Sequence, residues 1–137
     1  MGTERFWKIH WIIAVWHNVI GGVGVLVLGD WLYQREGLEP PSPGVNYLRW
    51  ALLILVFGYT YYLIYKDLYN TEKLVWIGVW GKMASASSDV YYLVFKTGVA
   101  HIFWVTVCTD YICVITFVLF IRWVRQQKTV MARAQTG

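Results

Sequence analysis

LVWIGVWGKMASASSDVYYLVF, residues 74–95, has the length of a membrane span and carries Lys82 and Asp89 in its interior. About 20 mainly apolar residues suffice to cross the hydrocarbon core of a bilayer as a helix. At about 3.6 residues per turn, Gly78, Gly81, Lys82, Ser85, Ser88, Asp89 and Tyr92 fall on one side. Trp76, Val79, Trp80, Met83, Val90 and Val94 fall on the other. Such a helix turns its greasy side to lipid and its small, polar and charged side to protein. Ionisable groups inside a membrane cost roughly 2.5–3.5 kcal/mol each on insertion scales, so each calls for a partner.

The composition around this stretch agrees with a membrane protein. Of 137 residues, 58% are hydrophobic and only 15% charged, with a mean hydropathy of +0.45. That is far from a soluble norm, and the length suits a single domain. Nine Trp and ten Tyr suit the aromatic belts at membrane interfaces. The net charge of +4 is no nucleic-acid signal, because the basic residues sit beside the apolar segments. Cys108 and Cys113 lie five apart on one segment and point in different directions, so packing is expected of them, with no disulfide or metal site. No cleavable signal peptide is evident, and Phe6 stands where a myristoylation signal needs Ser or Thr.

Three further spans are expected, over residues 6–28, 47–65 and 99–124. In the first, His10, Ala14, His17, Gly21 and Gly24 share a face, the small residues admitting a neighbouring helix, with Asn18 at its edge. Residues 29–46 read as an outer loop, with Trp31–Leu38 as an ordinary connector or else a short interfacial helix or lid, and Pro40-Pro41-Ser42-Pro43-Gly44 unable to continue a helix. The second span is the most purely apolar. Ala51, Leu55, Gly58, Tyr62 and Tyr65 share one of its faces, which would bring tyrosine hydroxyls into the bundle. Residues 66–73 form a polar turn, and Lys96-Thr97-Gly98 turns tightly into the fourth span, where Asp110 shares a face with Phe103, Thr106, Val114 and Phe117. The tail, residues 125–137, is basic and reads as frayed or lying on anionic lipid.

Lysine and arginine set the orientation. Arg5, Lys8, Lys66, Lys73, Arg122, Arg125, Lys128 and Arg133 flank one side, against Arg35, Arg49 and Lys96 on the other. The expected fold is therefore an all-α bundle of four transmembrane helices with both termini cytoplasmic.

Counting inward from the span ends places His17, Lys82 and Asp110 within roughly one turn of the midplane, with Asn18 beside them and Asp89 about a turn further out. Adjacent antiparallel spans predict a Lys82–Asp110 ion pair, leaving Asp89 to His17, Tyr62 or water. Such a pair can serve only to fix the register of two helices. Yet His17, Asn18, Tyr62, Lys82, Ser85, Asp89 and Asp110 together supply more polar groups than a register lock needs, and they read equally as a ligand pocket. Haem is not expected within this chain alone. His10 and His17 share one helix, and His101 lies far from the midplane and faces away from Asp110. No spacing marks a metal site or a catalytic motif.

The chain resembles a group of small bacterial four-helix membrane proteins, with DoxX-like and EXPERA-like topology. The likeness rests on Gly58-Tyr59 ending the second span, the polar turn after it, Gly81-Lys82, and Asp110 followed by Phe117, over roughly residues 48–120. It implies a four-helix bundle in a bacterial inner (cytoplasmic) membrane. The EXPERA pattern has acidic residues where the second span here has none, so sterol isomerase chemistry is not implied. Two functions are expected. The first is a non-catalytic accessory subunit of a larger respiratory or oxidase-type membrane complex. The alternative is a stand-alone binder or enzyme for a quinone, sterol or fatty acid, working alone or as a homo-oligomer. Neither involves nucleic acid.

Overall fold

A computed structural model of the chain describes residues 2–40, 45–96 and 100–136. Among these the protein is all-helical: α1 (Gly2–Arg35), α2 (Val45–Lys66), α3 (Glu72–Phe95) and α4 (Phe103–Thr136). Three of the four, α1, α2 and α4, are long and apolar enough to cross a membrane. α3 is less apolar because Lys82, Asp89 and a run of Ala and Ser interrupt it.

The helices form two antiparallel hairpins, α1 against α2 and α3 against α4, while contact between α2 and α3 is slight. Small residues set the approach within the first hairpin. A Cβ added at Gly22 would lie 2.9 Å from the Leu55 side chain and 3.2 Å from the Ala51 carbonyl oxygen. Gly58 stands opposite Asn18 in the same seam. In the second hairpin, Gly78 makes room for the rings of Phe117 and Tyr61, each of which would come within 3.1 Å of an added Cβ. Close backbone approach of this kind drives helix association where lipid is as apolar as the side chains.

The buried positions of α2 are Ala51, Gly58, Tyr61 and Ile64. At about 3.6 residues per turn these spacings wind the buried stripe around the helix, from Gly58 against Asn18 of α1 to Tyr61 against Trp11, Phe117 and Gly78. The expected face is corrected accordingly. Tyr62 is 40% exposed and stacks outside the core on Tyr59 and Tyr65, whereas Tyr61 is fully buried. In α1 the packed face keeps the expected Ala14 but continues through Asn18, expected at its edge, and Gly22, so that His17, Gly21 and Gly24 lie beside it. On α3, Trp80, Met83 and Val94 are exposed as expected, but Val79 is buried and Tyr92 is exposed.

Element ends also differ from expectation. α1 runs on through Gly29, which fits beneath the Tyr47 ring, and ends only at Arg35. It stops in a Schellman motif: Leu38 N–H donates to Tyr33 C=O and Gly37 N–H to Gln34 C=O, each at 3.0 Å, with Gly37 at φ 70°. The loop expected over residues 29–46 is therefore shorter, and Trp31–Arg35 is helical as the last part of α1, not a connector, lid or separate short helix. Residues 41–44, and Thr97 and Gly98 of the expected tight turn, lie outside the described residues. α4 begins at Phe103 and continues as helix to Thr136. The basic tail is thus not frayed, since it holds neither Gly nor Pro before its end and good helix formers fill it.

The polar turn between α2 and α3 is held by Asp67. Its carboxylate accepts bonds from Tyr69 N–H (3.1 Å), Asn70 N–H (3.1 Å) and the Asn70 side-chain amide (2.9 Å). The Asn70 bonds hold this carboxyl below its ordinary range. At the start of α3, Glu72 pairs with Arg125 of α4 at 2.5 Å, and that hydrogen bond lowers the Glu72 carboxyl in the same sense.

Candidate functional site

The hairpins meet differently at their two ends. Near the N-terminus of α1, Trp7 and Trp11 pack on Phe117 and Phe120 of α4 and on Tyr61 of α2. Ring centroids lie 4.7 Å apart for Trp11–Phe117, 5.1 Å for Trp11–Phe120 and 5.2 Å for Tyr61–Phe117. Such distances are those of favourable aromatic packing. His10 sits edge-on among Trp7, Trp11 and Phe117.

One turn past this plug, Lys82 Nζ donates to Asp110 Oδ1 at 2.6 Å. The expected pair therefore forms, joining α3 to α4. Asp110 is 1% exposed and the Lys82 side chain is nearly covered. A charge-assisted bond of this length, shielded from solvent, is strong, but its stabilisation is offset by the cost of desolvating both ions.

Beyond the pair the hairpins part and leave two chambers, each partly open to the surface. The first, about 320 Å³, is walled by α1, α2 and α4, with Gly24, Val25 and Leu28 on one side and Lys82 and Ser85 of α3 also lining it. The second, about 550 Å³, opens between α2 and α3, with Leu53 and Phe57 facing Ser88 and Asp89. Asn18, Trp50, Ile54, Lys82, Ser85 and Asp110 line both, so the ion pair stands where the chambers adjoin. Volumes of this size match small-molecule sites, which are mostly apolar with a few convergent polar groups.

The site residues named from the sequence divide clearly. Lys82, Asp110, Ser85 and Asn18 come together at the junction, His17 lines the first chamber, and Asp89 lines the second. Asn18 is buried, and its amide donates to the Ala14 carbonyl at 2.9 Å. Asp89 Oδ2 is buried with no protein hydrogen-bond partner among the described residues. Tyr62 lines neither chamber.

Sequence reasoning missed the closure of the first chamber at the end away from the aromatic plug. Trp50 of α2 stacks on Phe103 of α4, with centroids 5.3 Å apart and planes 24° apart, and Tyr33 of α1 lies against the same ring. The Glu36 carboxylate, placed by the Schellman turn, accepts His101 N–H at 2.6 Å and Ile102 N–H at 3.4 Å. Those amides precede α4 and have no partner within it, so Glu36 caps α4 from the end of α1. The available signal was the Glu36-Gly37 pair after a long apolar helix, read instead as loop composition.

Among the described residues no cluster of three or more His, Cys, Asp or Glu is placed to hold a metal ion. Neither a protein-family model nor a curated protein nor a solved structure matches the chain.

Proposed function

We propose that this chain is a four-span membrane protein that binds a hydrophobic ligand between its hairpins, with the polar end of the ligand in the second chamber, which Lys82, Asp110 and Asp89 line. The observation that carries this reading is the pair of chambers adjoining a buried ion pair. A register lock would be served by closely packed neighbours; here the surrounding walls stand apart. In this reading α3 crosses the membrane with the others. Its 24 residues extend about 36 Å, and its contacts with α4 run from Glu72–Arg125 through Gly78–Phe117 to Lys82–Asp110. The excess of flanking basic residues on the side of the termini supports a cytoplasmic location for both, and the resemblance to small bacterial proteins favours a bacterial cytoplasmic membrane.

A second reading, the accessory subunit of a larger membrane complex, draws on Trp16 and Trp80. They are 59% and 64% exposed and sit near the midpoints of α1 and α3. Tryptophan facing lipid prefers the interface, so two rings at mid-depth suit contact with another protein. Native mass spectrometry after gentle extraction from the source membrane separates the readings. A lone chain or small homo-oligomer carrying a small bound mass supports the ligand pocket. Large chains in fixed ratio support the subunit.

A further inference from the structure

The polar groups of the chambers specify the kind of headgroup they would take. Lys82 already spends its charge on Asp110 at 2.6 Å. Asn18 spends its amide on the Ala14 carbonyl. Among the polar atoms lining the second chamber, the one buried without a protein hydrogen-bond partner among the described residues is an acceptor, Asp89 Oδ2; beside it stand the hydroxyls of Ser85 and Ser88, which can either donate or accept. A buried polar atom left unpaired is costly, and a native structure ordinarily supplies it with a partner.

Charge points the same way. The ionisable residues of the second chamber are Lys82, Asp89 and Asp110, and no histidine lines it. Their sum is negative when Asp89 is ionised and zero when it is protonated. A carboxylate or phosphate headgroup would meet no net positive charge in either state, and it brings only acceptors. A hydroxyl or a protonated amine brings the donor that Asp89 lacks. The first chamber, lined by Val25, Leu28 and Leu32, offers an apolar path for a chain continuing from that head.

We infer that the site selects amphiphiles with an uncharged hydroxyl or cationic amine head, held by Asp89, and discriminates against carboxylate and phosphate heads. This rests on the ligand-pocket reading above.

The test uses the full chain in nanodiscs of zwitterionic lipid, titrated with tetradecanol, tetradecylamine and tetradecanoate, which share a chain and differ only in the head. The alcohol, the amine or both should bind about tenfold more tightly than the carboxylate. An amine ahead of the alcohol marks Asp89 as ionised; equal affinities mark a purely hydrogen-bonding role. Asp89→Asn, whose side chain keeps its size, should erase the advantage of the amine while the alcohol still binds. If that variant does not fold, the three-head comparison in the wild-type chain decides alone. Equal or tighter binding of tetradecanoate overturns the inference and leaves the pocket standing. Binding of none of the three, with the chain folded, overturns the pocket reading itself.

Discussion

The two ends of this bundle handle the same problem in opposite ways. Where Trp7, Trp11, Tyr61, Phe117 and Phe120 meet, the hairpins are joined by rings that fill the space between them. Past Lys82–Asp110 the hairpins diverge, and the Trp50–Phe103 stack and the Glu36 cap on α4 close only the far end. The difference lies in what faces inward. α1 presents tryptophans at its start but Gly21 and Gly24 further along, and α3 presents Ser85 and Ser88 where a filled core would need bulk. One end of the molecule is built for cohesion and the other retains volume.

Breaking the ion pair should have the largest effect. Lys82→Met leaves Asp110 buried and uncompensated, at a cost of about 3–5 kcal/mol. The expected outcome is loss of folded protein after membrane extraction, read by size-exclusion yield and thermal melting. Lys82→Met combined with Asp110→Asn should restore folding. Full ligand binding by that folded double variant would refute the role given to the pair in the pocket.

Phe117→Ala at the packed end should lower stability by about 3 kcal/mol, since the ring fills a site bounded by Trp11, Tyr61 and Gly78. Ligand affinity per folded molecule should hardly change. A loss of binding equal to that of pocket variants would mean that the two ends are not independent.

A pair of glycines on neighbouring faces of α1 sharpens the contrast further. A side chain at Gly22 would collide with Leu55 and the Ala51 carbonyl, whereas a Cβ at Gly24 would enter open space in the first chamber. Gly22→Leu should therefore destabilise the α1–α2 hairpin by about 1–3 kcal/mol. Gly24→Leu should melt near the wild type yet bind ligand about tenfold more weakly, as measured by titration in nanodiscs.

Glu36→Gln should cost about 1 kcal/mol, because it weakens the charged cap on α4. Hydrogen exchange at the amides of residues 101 and 102 would report it as faster opening of that end alone.

The smallest effect is the acid response of Glu72. Its carboxyl is lowered from the ordinary 4.5 by the bond to Arg125, so its contribution is fully present above that value and fades as pH falls through the lower folded one. Melting recorded as pH falls below about 4.5 should lose a small increment that Glu72→Gln no longer shows. Equal acid responses of the two chains would remove this pair from the account.

Much of the architecture was legible before any coordinates. Long apolar runs separated by polar turns gave four helices. The penalty on an unpaired buried charge gave the Lys82–Asp110 contact, because neighbouring antiparallel helices were the nearest source of a partner. The prediction slipped where a small phase error matters. Tyr61 and not Tyr62 enters the core because it meets Trp11, Phe117 and Gly78, and Gly22 and not Gly24 meets Leu55 in the α1–α2 seam, because the packed stripe winds around each helix where a single wheel face does not. Gly29 and the basic tail were read as helix ends from composition, yet the Tyr47 ring shelters the one and continuous helix formers carry the other.

What the sequence determined by itself was local: helical periodicity, the apolar lengths, and the requirement that charge inside the bundle find a counter-charge. What only the tertiary structure decided was the volume between the hairpins, the solitary Asp89 oxygen beside it, and the reach of Glu36 to α4. The reason is physical. Periodicity and desolvation are properties of one segment and its surroundings, whereas a cavity is the difference between the space that four helices enclose and the side chains that fill it.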